Sequence, residues 1–243
     1  FRTETNYLYP AGGKPLPRTK SEAEMRDNSR ESEFWASLML AHTPGLGPMG
    51  CKILLDHYGS AEQAIRDPSE WASLGVAERN VADNFRQEKW RDKARNEWEA
   101  ARRGNMAVVT YSDPEYPDRL RHIADPPRYL YYRGDITILH APCLAIVGSR
   151  TCTGIGKHVT QNVSRELASH GVCIVSGFAW GIDRIAHQGA MNEIGGTAAV
   201  LGTGLDLVYP SRNKDLWHRL CANGLLLTEF SPGTRPEAHH FPR

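Results

Sequence analysis

A rhythm that begins near residue 141 restricts the fold more than any other feature of the chain. Four short apolar runs, at 143–147, 172–175, 197–201 and 225–228, are separated by three segments of helical length, at about 154–170, 183–193 and 212–222. None of the runs alternates apolar with polar residues, which is the pattern of strands covered on both faces. Strand, helix and strand in repetition predict an α/β fold with a Rossmann-like, doubly wound parallel sheet.

The chain before this region has a different period. Between 31 and 104, Phe34, Leu38 and Met39, and then Ile53, Leu54 and Tyr58, recur at helical spacing. Pro44-Gly45-Leu46-Gly47-Pro48 must separate two helices, Ser60-Ala61-Glu62-Gln63 reads as a capping box, and 81–103 reads as one long amphipathic helix stopped by Gly104. A small all-α domain, SAM-like or helix-hairpin-helix-like, is therefore predicted over 31–104. The Rossmann-like domain follows over 105–243, opening with strands at 106–111 and 129–132. Residues 1–30, rich in Pro, Gly, Arg and Glu, are expected to form an extended tail, because their few apolar side chains do not offset the entropy of ordering.

Charge limits the kind of partner. Lys plus Arg total 29 against 28 for Asp plus Glu, so no polycationic coat surrounds the molecule and any phosphate must be held by a local cluster or by backbone amides. Mean hydropathy is -0.49, no apolar run reaches membrane length, and no signal-peptide succession opens the chain. Cys51, Cys143, Cys152, Cys173 and Cys221 are scattered and without a C-x-x-C pair, so they are expected to be reduced thiols of a soluble, cytoplasmic protein. Opening on Phe1, the chain reads as a fragment.

In an open parallel sheet, ligands sit beyond the carboxyl ends of the strands. Those ends carry Gly148-Ser149-Arg150, Ser176-Gly177-Phe178, Gly202-Thr203-Gly204 and Glu229-Phe230-Ser231. Glycine at three of four exits lets a ligand approach the backbone and frees amides for an anion, which points to phosphate. The first turn lacks the G-x-G-x-x-G fingerprint, and Gly156-Lys157-His158 lacks the Walker spacing, so neither a dinucleotide cofactor nor nucleotide hydrolysis is indicated. Arg150, Arg184, Arg212, Lys214, Arg235 and Arg243 follow strand exits, and Phe178, Trp180, Tyr209, Phe230 and Phe241 lie near the same rim. Cations that follow a backbone and rings that stack on unpaired bases are how single strands are held. Each ring also has an ordinary reading as core, Asp183 and Ser211 read as helix N-caps, and Glu229 reads either as an orienting partner for a cation or as a plain edge charge. His187, His239 and His240 read as structural, because no H-E-x-x-H, G-x-S-x-G or metal-spaced set accompanies them. No reaction, cofactor or metal is expected. The Pro44 to Gly47 turn matches the hairpin of modules that meet a phosphate backbone, and it serves equally as a chain reversal.

Taken together, these residues resemble the DNA-processing protein A family, also called DprA or Smf. The resemblance runs from about 31 to 243 and rests on Pro44-Gly45-Leu46-Gly47, Tyr116-Pro117, Leu120, Ile123, Asp125-Pro126-Pro127 and Val147-Gly148-Ser149-Arg150. It continues through 176–183, Ala186-His187, 200–206, Tyr209-Pro210, Asn213 and Phe241-Pro242. It implies a Rossmann-like domain that binds and protects single-stranded DNA, dimerises when full length, and helps load the bacterial recombinase during natural transformation, without catalysis. The residues it implies for DNA binding are Gly148, Ser149, Arg150, Ser176, Gly177, Phe178, Gly202, Arg212, Asn213, Lys214, Phe241 and Arg243. Two departures stand out. The family continues past the F-P-x motif with an R-N-R-I-I-A-G-L-S-type run, so the domain is expected to be truncated at Arg243, and Thr153-Gly154-Ile155-Gly156 replaces the usual serine and tyrosine before the glycine. Other readings are a small-nucleotide sensor or hydrolase of a related Rossmann-like family, and a purely structural interaction module.

Overall fold

The computed structural model describes residues 22–76 and 79–241. The expected tail lies outside the described residues up to position 21, as do Pro242 and Arg243. From Glu22 the chain is already helical: α1 (Glu22–His42) begins within the span expected as tail. Within that span the Pro and Gly residues precede a Glu-Ala-Glu-Met-Arg segment whose residues favour helix, so its average composition conceals the helix start. α2 (Pro48–Tyr58), α3 (Ala61–Ala64), α4 (Arg79–Arg86) and α5 (Arg91–Arg103) complete the bundle.

Local chemistry sets these boundaries. Gly45 takes φ +87° where the chain reverses between α1 and α2, and the Ser60 hydroxyl accepts from the Gln63 amide at 3.1 Å as the cap of α3. The single long helix expected over 81–103 is two helices. Glu88 adopts φ 55° between them, and the turn buries Trp90, whose indole N–H donates to the Phe85 carbonyl at 3.0 Å. Burial of one tryptophan outweighed continuity of the helical pattern.

Six strands form one sheet: β1 (Ala107–Thr110), β2 (Tyr129–Gly134), β3 (Cys143–Ala145), β4 (Cys173–Ser176), β5 (Thr197–Val200) and β6 (Leu225–Thr228), in the order β1-β2-β6-β5-β4-β3. The short α6 (Asp118–Arg121) lies between β1 and β2. β3 to β6 are parallel, with Leu144 opposite Ile174, Val175 opposite Ala198 and Ala199 opposite Leu226. The first two strands extend this sheet in antiparallel register, with Tyr131 opposite Thr228. The crossovers are α7 (Gly154–Ser169), α8 (Ile182–Ala190) and α9 (Lys214–Asn223). Because β3 to β6 are neighbours in sequence and in space, right-handed crossovers put these three helices on one face. Ile174 packs there against Ala168, Ala186 and Ala190, while Val200 on the other face is half exposed.

Bundle and sheet share one core. Phe34 of α1 packs edge-on against Tyr129 and Tyr131 of β2 at 5.4 and 6.0 Å. Behind it the buried Glu97 carboxylate accepts from Tyr129 and Tyr131 hydroxyls at 2.9 and 2.7 Å and meets His42 Nε2 at 2.8 Å. The period changes near 105, but the hydrophobic cluster runs across that point. No helix among the described residues is long and apolar enough to cross a membrane.

Candidate nucleic-acid interface

The strand exits are fastened in pairs. Ser176 Oγ donates to the Ile146 carbonyl at 2.6 Å and the Ile182 amide to the Ser149 carbonyl at 3.2 Å, which ties the β4 exit to the β3 exit. Thr228 Oγ1 donates to the Leu201 and Thr203 carbonyls at 3.1 and 2.9 Å, tying β6 to β5. Gly181 allows the first junction, with φ +97° and the Ser149 carbonyl where a Cβ would stand, 2.3 Å away.

Two hollows flank this rim. On the helix-covered face, Arg150, Lys157, Arg184 and Arg212 surround Trp180 in a space of about 490 Å³. On the opposite face, a hollow of about 510 Å³ is lined chiefly by apolar side chains, among them Val147, Val175, Val200 and Phe241. The first hollow has the chemistry of a polyanion site. Arg184 is held bidentately by Asp215 at 3.0 and 2.5 Å, and this hydrogen bonding draws the Asp215 carboxyl down to about 2. Arg150, Lys157 and Arg212 have no carboxylate partner among the described residues. Four cations against one carboxylate leave a local excess of three positive charges, which the net charge of +1 conceals. Trp180 is 38% exposed, with the Arg212 and Arg184 guanidinium carbons 4.8 and 5.4 Å from its ring. Backbone donors add to the site. The amides of Gly148, Ser149 and Arg150 have no acceptor among the described residues, while Ser149 Oγ is engaged locally with the Thr151 backbone. The N-terminus of α7, capped by Thr153 on the Gly156 amide, opens beside them.

The expected site residues therefore divide. Arg150 and Arg212 line the basic hollow; Gly148 and Ser149 precede Arg150 in the same turn without lining it, Gly148 lying so close under Ile182 that a Cβ would be 2.8 Å from Cγ1. Ser176, Gly177, Gly202 and Phe241 line the apolar hollow instead. Lys214 is exposed at the start of α9 and lines neither, and Arg243 lies outside the described residues. Phe178 was expected among the DNA contacts, but its ring is fully buried, edge-on to Trp217 at 5.8 Å, and its φ of 59° is held by the core around it. Asn213 is also buried, donating to the Phe178 carbonyl at 2.8 Å and accepting from Arg184 at 3.0 Å, so it positions a cation. The Gly177 amide is committed to Asp183 Oδ2 at 3.2 Å, beside the Ala179 amide at 3.3 Å. Asp183 is not the N-cap; Gly181 holds that place, and the aspartate reaches back from the first turn of α8.

Trp180 and Arg184, which their sequence positions place at the rim, line the hollow although they stand outside the set that the family resemblance implies. Lys157 carries no signal in the sequence except as the lysine of a failed Walker spacing. His187 is structural: burial lowers it to about 3, and because Thr197 Oγ1 donates to the Ile174 carbonyl it must accept from His187 Nδ1. The ring is thus neutral with its proton on Nδ1, and Nε2 is buried without a partner among the described residues.

Comparison with known proteins identifies the family. The family model for DNA recombination-mediator protein A matches residues 107–243. Protein Smf of Synechocystis is 34% identical over 219 residues, covering 87% of this chain and 54% of that protein. DNA processing protein DprA of Streptococcus pneumoniae is 43% identical over 130 residues, covering 54% and 46%. The X-ray structure of DprA from S. pneumoniae superposes with a TM-score of 0.69 at 31% identity, covering 87% of this chain and 71% of that one. DprA from Helicobacter pylori, known for a unique single-stranded DNA binding mode, gives 0.50 at 34% identity over 55% of this chain and 60% of that one. The chain spans about half the length of the curated relatives it matches. On the family match, on this identity and on the shared sheet, the chain belongs to the DNA recombination-mediator protein A family.

Proposed function

We propose that this chain binds single-stranded DNA through the basic hollow around Trp180, and that the full-length protein, as a homodimer in the bacterial cytoplasm, protects incoming strands and helps load the recombinase during natural transformation. The observation that carries the reading is the convergence of Arg150, Lys157 and Arg212, none paired with a carboxylate among the described residues, on a half-exposed indole beside unengaged turn amides. Cations follow a phosphate run, and an indole stacks on a base only when that base is unpaired. The site is one of binding, with DNA as the guest.

Fluorescence anisotropy with labelled oligonucleotides tests it. Three phosphate contacts predict a single-strand salt slope of about -2, so affinity falls roughly tenfold or more between 50 and 200 mM salt. Arg150→Ala should weaken all sequences similarly, because a phosphate contact carries no base information. Equal affinity for duplex and single strand, or no effect of Arg150→Ala, overturns the reading.

A further inference from the structure

The bundle carries a second cluster of cations and rings, remote from the rim. On α5, Arg95, Trp98 and Arg102 follow one another along one face, and Trp35 of α1 stands beside them. Together with Arg103 and Glu99 they surround an open hollow of about 580 Å³. The two indoles meet edge-on at 5.6 Å, the Arg102 guanidinium carbon lies 5.8 Å from the Trp98 ring, and both indoles remain partly exposed. The charge of α5 is lopsided. Its five cations are all exposed, whereas of its three carboxylates Glu97 is buried, leaving two against five on the surface. Arg103 is engaged by Glu99 at 3.5 Å and Arg102 by Glu31 at 3.7 Å, while Arg95 has no ion partner among the described residues. Like charges on one helix face repel, and partly exposed indoles forgo burial. Both costs are recovered when a group that is at once anionic and aromatic sits in the hollow.

We propose that this hollow is a second nucleic-acid contact, taking an unpaired base against Trp98 and Trp35 and its phosphate against Arg95, on the same strand that enters the basic hollow at the sheet rim. The inference rests on the single-strand reading above. β1, on which the bundle packs, and β3, beside the rim site, are opposite edges of the sheet, five strand steps of about 4.8 Å or roughly 24 Å apart. Only a strand longer than a few nucleotides spans both.

Anisotropy with oligothymidines of about five and about thirty nucleotides separates the two claims, using the whole chain with Arg95→Glu, Trp98→Ala and Arg150→Ala. Trp98 also stacks on Phe34 at 5.3 Å, so the exposed Arg95→Glu is the variant that keeps the fold, checked by its melting curve. Expected is a loss of roughly fivefold or more for the long oligonucleotide with Arg95→Glu and unchanged binding of the short one, since a stacked base and its phosphate contribute about that much. Arg150→Ala should weaken both lengths. Unchanged binding of both lengths to Arg95→Glu overturns this inference and leaves the rim site standing, and so does equal weakening of both, which marks a general field. Competition by polyglutamate against the long oligonucleotide but not the short one points to an acidic protein partner and also overturns it. Failure of either length to bind the unmodified chain counts against the rim reading itself.

Discussion

Glu97→Ala should be among the most damaging single changes in the molecule, because one carboxylate joins the bundle to the sheet. Its side chain is nearly sealed from water, Oε1 accepts from two tyrosine hydroxyls of β2, and Oε2 meets His42 at the end of α1. Burial by itself would raise the Glu97 carboxyl, but the hydrogen bonds from His42 and Tyr131 outweigh it and hold the group below the usual carboxylate range. A hydrogen bond to a charged acceptor is worth about 1.5–3 kcal/mol, and the three share one acceptor, so they do not add fully. Truncation also leaves two phenols and an imidazole inside without a partner, and breaking a buried charged cluster in this way typically costs about 3–5 kcal/mol. We therefore expect about 4 kcal/mol, against a total of roughly 5–15 kcal/mol for a domain. Urea unfolding followed by circular dichroism measures it, with Tyr131→Phe as the smaller companion at about 1–2 kcal/mol. The sign of the pH dependence follows. A carboxyl lowered in the folded state contributes stability that is fully present above its unfolded value of about 4.3 and is lost as pH falls through the folded value, so the gap between wild type and Glu97→Ala should narrow on acidification. A loss below about 1 kcal/mol at neutral pH would refute the view that this cluster fastens the two parts together.

His187 gives the second pH effect. With a buried folded value of about 3 and an unfolded value near 6.5, the unfolded chain binds the proton first, so stability falls as pH drops from 6.5 towards 3, by roughly 2 kcal/mol between pH 7 and 5. Urea midpoints should show this slope in the wild type and lose it in His187→Gln. Asp183→Ala strips two turn amides of their acceptor and should cost about 2–3 kcal/mol; thermal melts matching wild type would argue that the turn re-forms without it. Trp180→Ala should leave the melting temperature within a few degrees of wild type while weakening single-strand binding by about 1–3 kcal/mol, and an unaltered anisotropy isotherm counts against stacking on this ring.

The rim is legible in the sequence because glycine, serine and arginine at strand exits announce themselves in one dimension. Arg150 and Arg212 could be placed there from spacing alone. What spacing does not report is the direction a side chain takes after a tight turn. Phe178 and Trp180 are two residues apart at the same exit, yet one is buried against Trp217 and the other lies open between two arginines. Both would satisfy any local pattern for a stacking residue.

Order of strands and helices, the unalternating apolar runs, the caps at Ser60 and Gly104 and the membership of the family are determined by the sequence, since each depends on neighbours within a few residues or on motifs of fixed length. Only tertiary structure decided that the exits part into a basic hollow and an apolar one, that Asp183 consumes the Gly177 amide, and that Lys157 joins Arg150 beside Trp180. The reason is that burial and charge proximity are sums over groups distant along the chain, and those sums take a value only when α7, α8 and the β3 exit have been brought to one place.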